Sequence, residues 1–206
     1  HKGVLFLDEF AEFKRDTIEA LRQPVENGSI TISRIYGVCR FPAKFMIVAA
    51  ANPCKCGYYP DRSRCCCSEH EVHKYISRLN GPMIDRMDLC VGVLPVDAKE
   101  LISNKKAENS EQIRKRVATA VRIQKERCQG KSFRFNSELS VDEIQNCCRI
   151  GKKEQSLLFQ ALETFRMSAR GYYKIIRVAR TIADLEESAC IREEHISEAL
   201  GFRMVL

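Results

Sequence analysis

The stretch HKGVLFLDEF, residues 1–10, decides the fold of this chain of 206 residues. Its apolar part, Val4–Leu7, is short and continuous, which predicts a strand buried on both faces of a parallel sheet covered by helices. Ligands of such sheets bind at the carboxyl ends of the strands, where Asp8 and Glu9 follow. Two adjacent acids there suit a phosphate–metal site, in which one holds Mg²⁺ and the other orients or deprotonates a water molecule. The alternative interpretation is a strand that ends in solvated acids.

A second apolar run, Phe45–Ala51, also ends in a polar residue, Asn52, which Pro53 follows. The run predicts another buried strand, with its end at the same ligand-binding edge of the sheet. The amide of an asparagine there can orient a water molecule beside a γ-phosphate. An Asx turn before the proline is the alternative interpretation. A third apolar run, Leu89–Leu94, predicts a further strand.

Between the first two apolar runs the pattern changes to alternation. Ser29–Ser33 alternates polar and apolar residues, which predicts a strand, and Cys39–Phe41 predicts its partner in a hairpin. Arg34, Arg40 and Lys44 make this hairpin basic. The hairpin is therefore either a solvated edge or, in a ring-shaped motor, an element that projects into the pore towards nucleic acid.

Cysteine is unusually frequent, with 11 residues, and the sequence shows no secretory signal. We therefore expect a reducing, cytoplasmic compartment, in which metal ligands or buried thiols are more common than disulfides. Two closely spaced pairs follow Asn52 and can supply a tetrahedral Zn²⁺ ion with four thiolates, Cys54, Cys56, Cys65 and Cys67. Their one-residue spacing is tighter than the usual two to four. Alternative ligands are Cys66, His70 and His73, and free or oxidisable thiols are the competing interpretation.

Composition narrows the class of protein. The chain is long enough for one medium domain or two small ones, and 45% hydrophobic residues suffice for a core. No run approaches the roughly 18 apolar residues of a membrane span, so no membrane partner is expected. The net charge of +7 suits a polyanionic partner such as DNA, RNA or a nucleotide. A basic face exposed to solvent would give the same net charge.

From Pro95 onwards the pattern is helical. A basic helix is predicted over Ser110–Cys128, and others begin near Ser140 (a plausible N-cap), Glu154, Ser168 and Ile191. In the helix that Ser168 opens, Arg177 and Arg180 are expected to point away from an apolar face formed by Ile175, Val178, Ala179 and Ile182. The predicted layout is a truncated α/β domain, residues 1–95, followed by a small all-α domain, residues 96–206.

The order of these segments resembles one family closely and over essentially the whole chain. GVLFLDEF (3–10) resembles a Walker B strand, and VAAANPCKCGYY (48–59) resembles a sensor 1 strand with a Cys-rich loop. RLNGPMIDRMDL (78–89) resembles an arginine-finger segment, and SARGYYKIIRVARTIADLE (168–186) a sensor 2 helix. Together they are similar to the Mg-chelatase-like AAA+ ATPases of the ComM/YifB type. The implied fold is an AAA+ P-loop NTPase-type parallel sheet core followed by a helical lid domain.

The resemblance implies roles for individual residues in the binding and hydrolysis of ATP with Mg²⁺. The implied catalytic residues are Asp8 for magnesium, Glu9 as general base, Asn52 as sensor 1 and Arg86 as arginine finger. Arg177 is the best match to the sensor 2 arginine, and Arg170 is a less favoured substitute.

The resemblance also implies a motor whose subunits assemble as rings, commonly hexamers, and whose ComM type is associated with DNA branch migration. No G-x-x-x-x-G-K-[S/T] motif occurs in the sequence. We therefore expect a C-terminal part of a longer protein, with the phosphate loop and a domain resembling Lon-type protease folds upstream. By itself the chain is expected to bind ATP weakly and to be nearly inactive.

Two rival functions remain open from the sequence. The first is a true magnesium-chelatase motor subunit, which drives metal insertion into a porphyrin. The Cys-rich loop after Asn52 favours the ComM type over it. The second is a non-catalytic, zinc-bearing interaction module, in which Asp8 and Glu9 would be ordinary surface acids.

Overall fold

A computed structural model describes residues 1–79, 83–96, 108–131 and 133–203. The chain divides into two compact units, an N-terminal unit over His1–Met87 and a C-terminal unit that begins at Asp88. The architecture is mixed α/β with a small parallel sheet and several helices, which confirms the predicted fold class. The predicted boundary between an α/β domain, residues 1–95, and an all-α domain, residues 96–206, stays a prediction. Within the described ranges, no helix has both the length and the apolar character needed to span a bilayer.

The N-terminal unit combines two pairs of strands with short helices. In chain order it contains β1 (Val4–Leu7), a 3₁₀ turn (Phe10–Glu12), α1 (Arg15–Ala20), α2 (Arg22–Asn27), β2 (Ser29–Arg34), β3 (Gly37–Pro42), β4 (Met46–Ala49), α3 (Glu69–Leu79) and a 3₁₀ turn (Ile84–Arg86). Strands β2 and β3 pair antiparallel, with Ser29 opposite Pro42 and Arg34 opposite Gly37, so the predicted hairpin is confirmed.

Strands β1 and β4 form a parallel pair in which Val4 lies opposite Met46 and Leu7 opposite Ala49. The pairing continues past both strand ends. The Ala50 N–H donates to the Leu7 carbonyl at 2.9 Å, and the Phe10 N–H donates to the Ala50 carbonyl at 2.8 Å. The residues that follow the two strands are therefore held at one edge of the sheet.

Strand β1 is buried on one face only, so the prediction of burial on both faces is wrong. Leu7 is 8% exposed and packs with Phe10 and Tyr75, whereas Val4 is 65% and Phe6 59% exposed. The physical reason is that successive side chains of a strand point to opposite faces, and the core of this unit lies on one side of the sheet.

The third predicted strand is also wrong, because residues 89–94 have neither strand nor helix structure. Val91 and Val93 are 64% and 88% exposed. A strand needs a neighbouring strand to satisfy its backbone groups. The backbone bond recorded for this segment instead joins the Cys90 N–H to the Phe202 carbonyl, at 2.7 Å.

The C-terminal unit is helical in its described residues. It contains α4 (Ser110–Arg127), a 3₁₀ turn (Asn136–Glu138), α5 (Val141–Cys147), α6 (Lys152–Thr164), α7 (Ala169–Leu185) and α8 (Glu193–Gly201). The predicted N-cap is confirmed, since the Ser140 hydroxyl accepts from the Glu143 N–H while the Glu143 carboxylate accepts from the Ser140 N–H. Ser168 caps α7 by accepting a hydrogen bond from the Gly171 N–H at 3.2 Å.

Helix α7 is the central element of this unit. Ile175, Ala179 and Ile182 are buried in its core, as predicted, and Val178 packs against that core while half-buried. The expectation that Arg180 points away is wrong, because its side chain is only 1% exposed. Its guanidinium donates to the Asp184 carboxylate at 3.2 Å and to the Ala189 carbonyl at 3.0 Å. A buried charge is tolerated where hydrogen-bond acceptors of this kind surround it.

Candidate functional site

The two acids that follow β1 are exposed at the carboxyl edge of the parallel sheet. The Glu9 N–H donates to the Asp8 Oδ1 atom at 2.9 Å. Glu9 itself has a left-handed backbone, with φ 49° and ψ 44°. Such a conformation costs a non-glycine residue about 1–3 kcal/mol and is concentrated at functional sites. The local fold therefore turns the chain sharply at Glu9, directly after Asp8.

Asn52 lies beyond the end of β4, at the same edge of the sheet as Asp8 and Glu9. Its side chain is exposed and lies beside Gly57 of the loop that follows, where a Cβ atom added to Gly57 would be 3.8 Å from the Asn52 Cγ atom. The parallel pairing of β1 with β4 thus gathers Asp8, Glu9 and Asn52 at one edge, as the sequence predicted for a nucleotide site. Their catalytic roles stay predictions.

Arg86 belongs to the 3₁₀ turn near the end of the N-terminal unit. Its side chain is only 9% exposed and forms an ion pair with Glu26 of α2. The structure therefore places this guanidinium against its own unit. The arginine-finger role stays a prediction, and it requires Arg86 to exchange Glu26 for a phosphate. The sequence offered no signal for Glu26, because this partner lies 60 positions away in the chain.

The two sensor 2 candidates occupy different environments on α7. The Arg177 guanidinium is half-buried, and its Nε atom donates to the Leu139 carbonyl at 3.0 Å. Arg170 lies in the first turn of the helix and is exposed. Arg177 thus has a structural contact within the C-terminal unit, in addition to any contact with a nucleotide.

The four predicted metal ligands lie together in the loop after Asn52. The Sγ atoms of Cys54, Cys56, Cys65 and Cys67 are all within 4.8 Å of one another. We call these four residues the cysteine cluster. Within the described part of the chain, the alternative ligands Cys66, His70 and His73 lie outside this grouping. Cys54 is 0% and Cys65 9% exposed, so the cluster is closed on one side by protein.

The thiols of the cysteine cluster differ in acidity. A hydrogen bond with the Tyr58 backbone is the largest cause that lowers the pKa of Cys56 to about 6. A backbone hydrogen bond with Cys56 lowers the pKa of Cys67, but the Cys56 side chain, burial and Cys54 outweigh it and raise that pKa to about 12. Burial also raises the pKa of Cys65. The Cys56 thiolate therefore forms more readily than the thiolates of Cys65 and Cys67.

Comparison with known proteins bears on what this arrangement does. The family described as "Magnesium chelatase, subunit ChlI" matches residues 1–101, and "Magnesium chelatase, subunit ChlI C-terminal" matches residues 107–203. The chain belongs to the Mg-chelatase-like family. This is an AAA+ ATPase family, so the resemblance seen in the sequence is confirmed.

Relatives within the Mg-chelatase-like family match along the whole chain. The chain is 40% identical to competence protein ComM of Haemophilus influenzae, over 99% of this chain and 39% of that protein. It is 35% identical to YifB of Escherichia coli, over 100% of this chain and 40% of that protein. The chain therefore spans about two fifths of the length of these curated relatives.

Proposed function

We propose that this chain carries the hydrolytic carboxylates of an ATP-dependent AAA+ motor that remodels DNA. The observation that carries the proposal is the gathering of Asp8, Glu9 and Asn52 at the carboxyl edge of the β1–β4 sheet. Exposed carboxylate oxygens are ligands that suit Mg²⁺, and Asp8 would hold this ion. Bound there with ATP, Mg²⁺ would neutralise charge on the phosphates.

The remaining residues of the edge would act on the attacking water molecule. Glu9 would accept its proton as general base, and the Asn52 amide would orient it. Arg86 would act on the nucleotide of a neighbouring subunit, which requires assembly into a ring such as a hexamer. These roles follow the family pattern, and the exposure of Asp8, Glu9 and Asn52 supports them.

The β2–β3 hairpin supports DNA as the substrate of the motor. Its tip exposes Ile35 and Tyr36 by 97% and 99%, and the adjacent Arg34 is also exposed. An exposed aromatic ring can stack on a nucleic-acid base, and a neighbouring cation can contact a phosphate. The name of one relative, competence protein ComM, is consistent with a role of this kind.

Replacing Tyr36 tests the hairpin in the intact protein. Tyr36→Ser is expected to weaken single-stranded DNA binding by about 1–3 kcal/mol, roughly 5- to 150-fold, because the stacking ring is lost. Tyr36→Phe keeps the ring and is the matched control, expected to bind nearly as well as the unaltered protein. Fluorescence anisotropy at fixed salt concentration measures both. Equal affinity of the serine and phenylalanine variants would contradict a stacking role.

A second candidate function is supported by the family description, which names magnesium chelatase. Under it the motor would drive metal insertion into a porphyrin. Stimulation of ATP hydrolysis in the intact protein separates the two candidates. We expect branched DNA to stimulate hydrolysis and porphyrin with Mg²⁺ to leave it unchanged, and the reverse pattern would favour the chelatase. A zinc-bearing interaction module would show no ATP binding or hydrolysis at all.

The two sensor 2 candidates are separated by measuring stability beside activity. Arg177→Gln is expected to lower the free energy of unfolding by about 1–3 kcal/mol, because it removes a charged donor from the half-buried contact with the Leu139 carbonyl. Arg170→Gln, at an exposed position, is expected to cost less than about 1 kcal/mol. Urea unfolding followed by circular dichroism checks this difference. ATP hydrolysis by each variant of the intact protein then shows which arginine contacts the nucleotide.

A further inference from the structure

We propose that the cysteine cluster is a closed structural site for one Zn²⁺ ion. A tetrahedral zinc ion with Zn–S bonds of about 2.3 Å has sulfur atoms about 3.8 Å apart. The Sγ–Sγ distances are 3.4 Å for Cys54–Cys56, 3.5 Å for Cys56–Cys65 and 3.8 Å for Cys54–Cys65. With Cys67 also within 4.8 Å of the other three, the four sulfur atoms fit the coordination shell of a single ion.

Two tight turns hold the pairs of cysteines in place independently of the sulfur contacts. On the first side, the Gly57 N–H donates to the Cys54 carbonyl at 3.0 Å, and Gly57 has a φ of 82° that favours glycine. On the second side, the Cys65 N–H donates to the Asp61 carbonyl at 2.8 Å. The Asp61 carboxylate in turn accepts from the Ser63 N–H at 3.0 Å. The backbone bonds of these turns therefore position the two pairs of ligands.

Zinc fits this arrangement better than the other chemistries of a four-cysteine group. Structural zinc sites have four protein ligands and no open position, as here. In a [4Fe–4S] cluster each cysteine binds a different iron atom, which separates the sulfur atoms by more than the shell of one ion. A pair of disulfides would not require all four sulfur atoms to converge on one point. Soft thiolate ligands also favour zinc over Mg²⁺ or Ca²⁺.

The site would connect the loop to the sheet edge through helix α3. Cys54 and Cys65 pack with Val72 of this helix, which is 2% exposed. Tyr75 on the same helix packs with Leu7 of β1. Because Asn52 precedes the cluster by two residues, an ion bound there would restrain the segment that leads out of β4. The proposal does not depend on nucleotide hydrolysis, so it stands or fails separately from the proposed function.

Elemental analysis and thiol protection test the proposal on the unaltered 206-residue chain. Protein purified with a reductant and without a chelator is expected to contain about one zinc ion per chain. In peptide mass spectrometry, Cys56 and Cys67 should resist alkylation until a strong chelator is added. Cys66 is exposed and adjacent to Cys67, so it should react at the same rate with and without chelator. This residue is an internal control that needs no substitution.

Substitutions then assign the ligands. Cys56→Ser and Cys67→Ser are each expected to lower zinc affinity more than tenfold, whereas Cys66→Ser should leave it unchanged. Where a serine variant fails to fold, the protection pattern of the unaltered chain decides the question. Folded, zinc-free protein whose cluster thiols react like Cys66 would overturn the proposal. An iron ion in place of zinc would overturn the choice of metal, and loss of zinc from Cys66→Ser would overturn the ligand set.

Discussion

The Glu9→Gln variant of the intact protein is expected to bind ATP normally and to hydrolyse it about 10²- to 10⁴-fold more slowly. The amide has the size of the carboxylate but cannot accept a proton from the attacking water molecule, which is the contribution of a general base. Calorimetry measures the affinity for ATP, and phosphate release measures the rate of hydrolysis. Because Glu9 is exposed at the sheet edge, the variant is expected to fold like the unaltered protein, and circular dichroism checks this.

Glu12 provides the matched control for this variant. It is a second exposed glutamate three residues further on, and its carboxylate makes a long ion pair with Arg78 at 3.8 Å. Since exposed ion pairs contribute little, Glu12→Gln is expected to leave hydrolysis nearly unchanged. Equal losses in the two variants would show that the removal of any negative charge here is damaging, and Glu9 would then lose its assignment as the base.

Mixing experiments extend this test to Arg86. Arg86→Ala should also abolish hydrolysis, and mixing it with Glu9→Gln should restore part of the activity. In a mixed ring, some interfaces receive an intact Glu9 from one subunit and an intact Arg86 from the next. Without recovery, Arg86 would be assigned to its contact with Glu26 inside the N-terminal unit.

The Asp184→Ala variant is expected to have the largest effect on stability, about 3–5 kcal/mol in the free energy of unfolding. The Asp184 side chain is 0% exposed. Its carboxylate accepts hydrogen bonds from Arg180 at 3.2 Å, from Arg127 at 3.0 Å and from the Asn136 amide at 2.8 Å. Alanine would leave the Arg180 guanidinium buried without its counter-charge, which is why the expected cost is high.

The pKa shifts of Arg180 and Arg127, the two arginines that contact Asp184, agree with a large cost for Asp184→Ala. Burial lowers the pKa of Arg180, and the hydrogen bond that Arg127 donates to Asp184 raises the pKa of Arg127. Both guanidinium groups nevertheless stay charged at neutral pH, because arginine is not deprotonated in proteins. One carboxylate therefore pairs with two guanidinium groups in the C-terminal unit.

Glu126 provides a surface control, because it pairs with an arginine four residues away in the chain, as Asp184 does. Arg122 and Glu126 pair at i,i+4, as Arg180 and Asp184 do, but their side chains are 61% and 62% exposed. Glu126→Ala is expected to cost less than about 1 kcal/mol. Urea unfolding followed by circular dichroism measures both variants, and equal costs would contradict a stabilising role for the buried carboxylate.

Features that depend on neighbouring residues were predictable from the sequence alone. The capping of a helix by Ser140, the β2–β3 hairpin and the polar ends of the apolar runs all follow from local backbone geometry. The composition of the cysteine cluster was also predictable, because two short Cys pairs within one loop have few other ways to meet. In each case the partners are close in the chain, so their spacing limits the structures that they can form.

Only the tertiary structure decided which surfaces meet. The period of α7 placed Arg180 outside the apolar face, but the Asp184 carboxylate and two backbone carbonyls accept its hydrogen bonds and so allow its burial. The orientation of Arg86 depends on Glu26, and the exposed face of β1 depends on where the core of its unit lies. The apolar run at 89–94 forms no strand, since strand formation needs a partner from elsewhere in the chain. A local pattern specifies which secondary structure a segment favours and which side chains it exposes, whereas distant residues determine what those side chains contact.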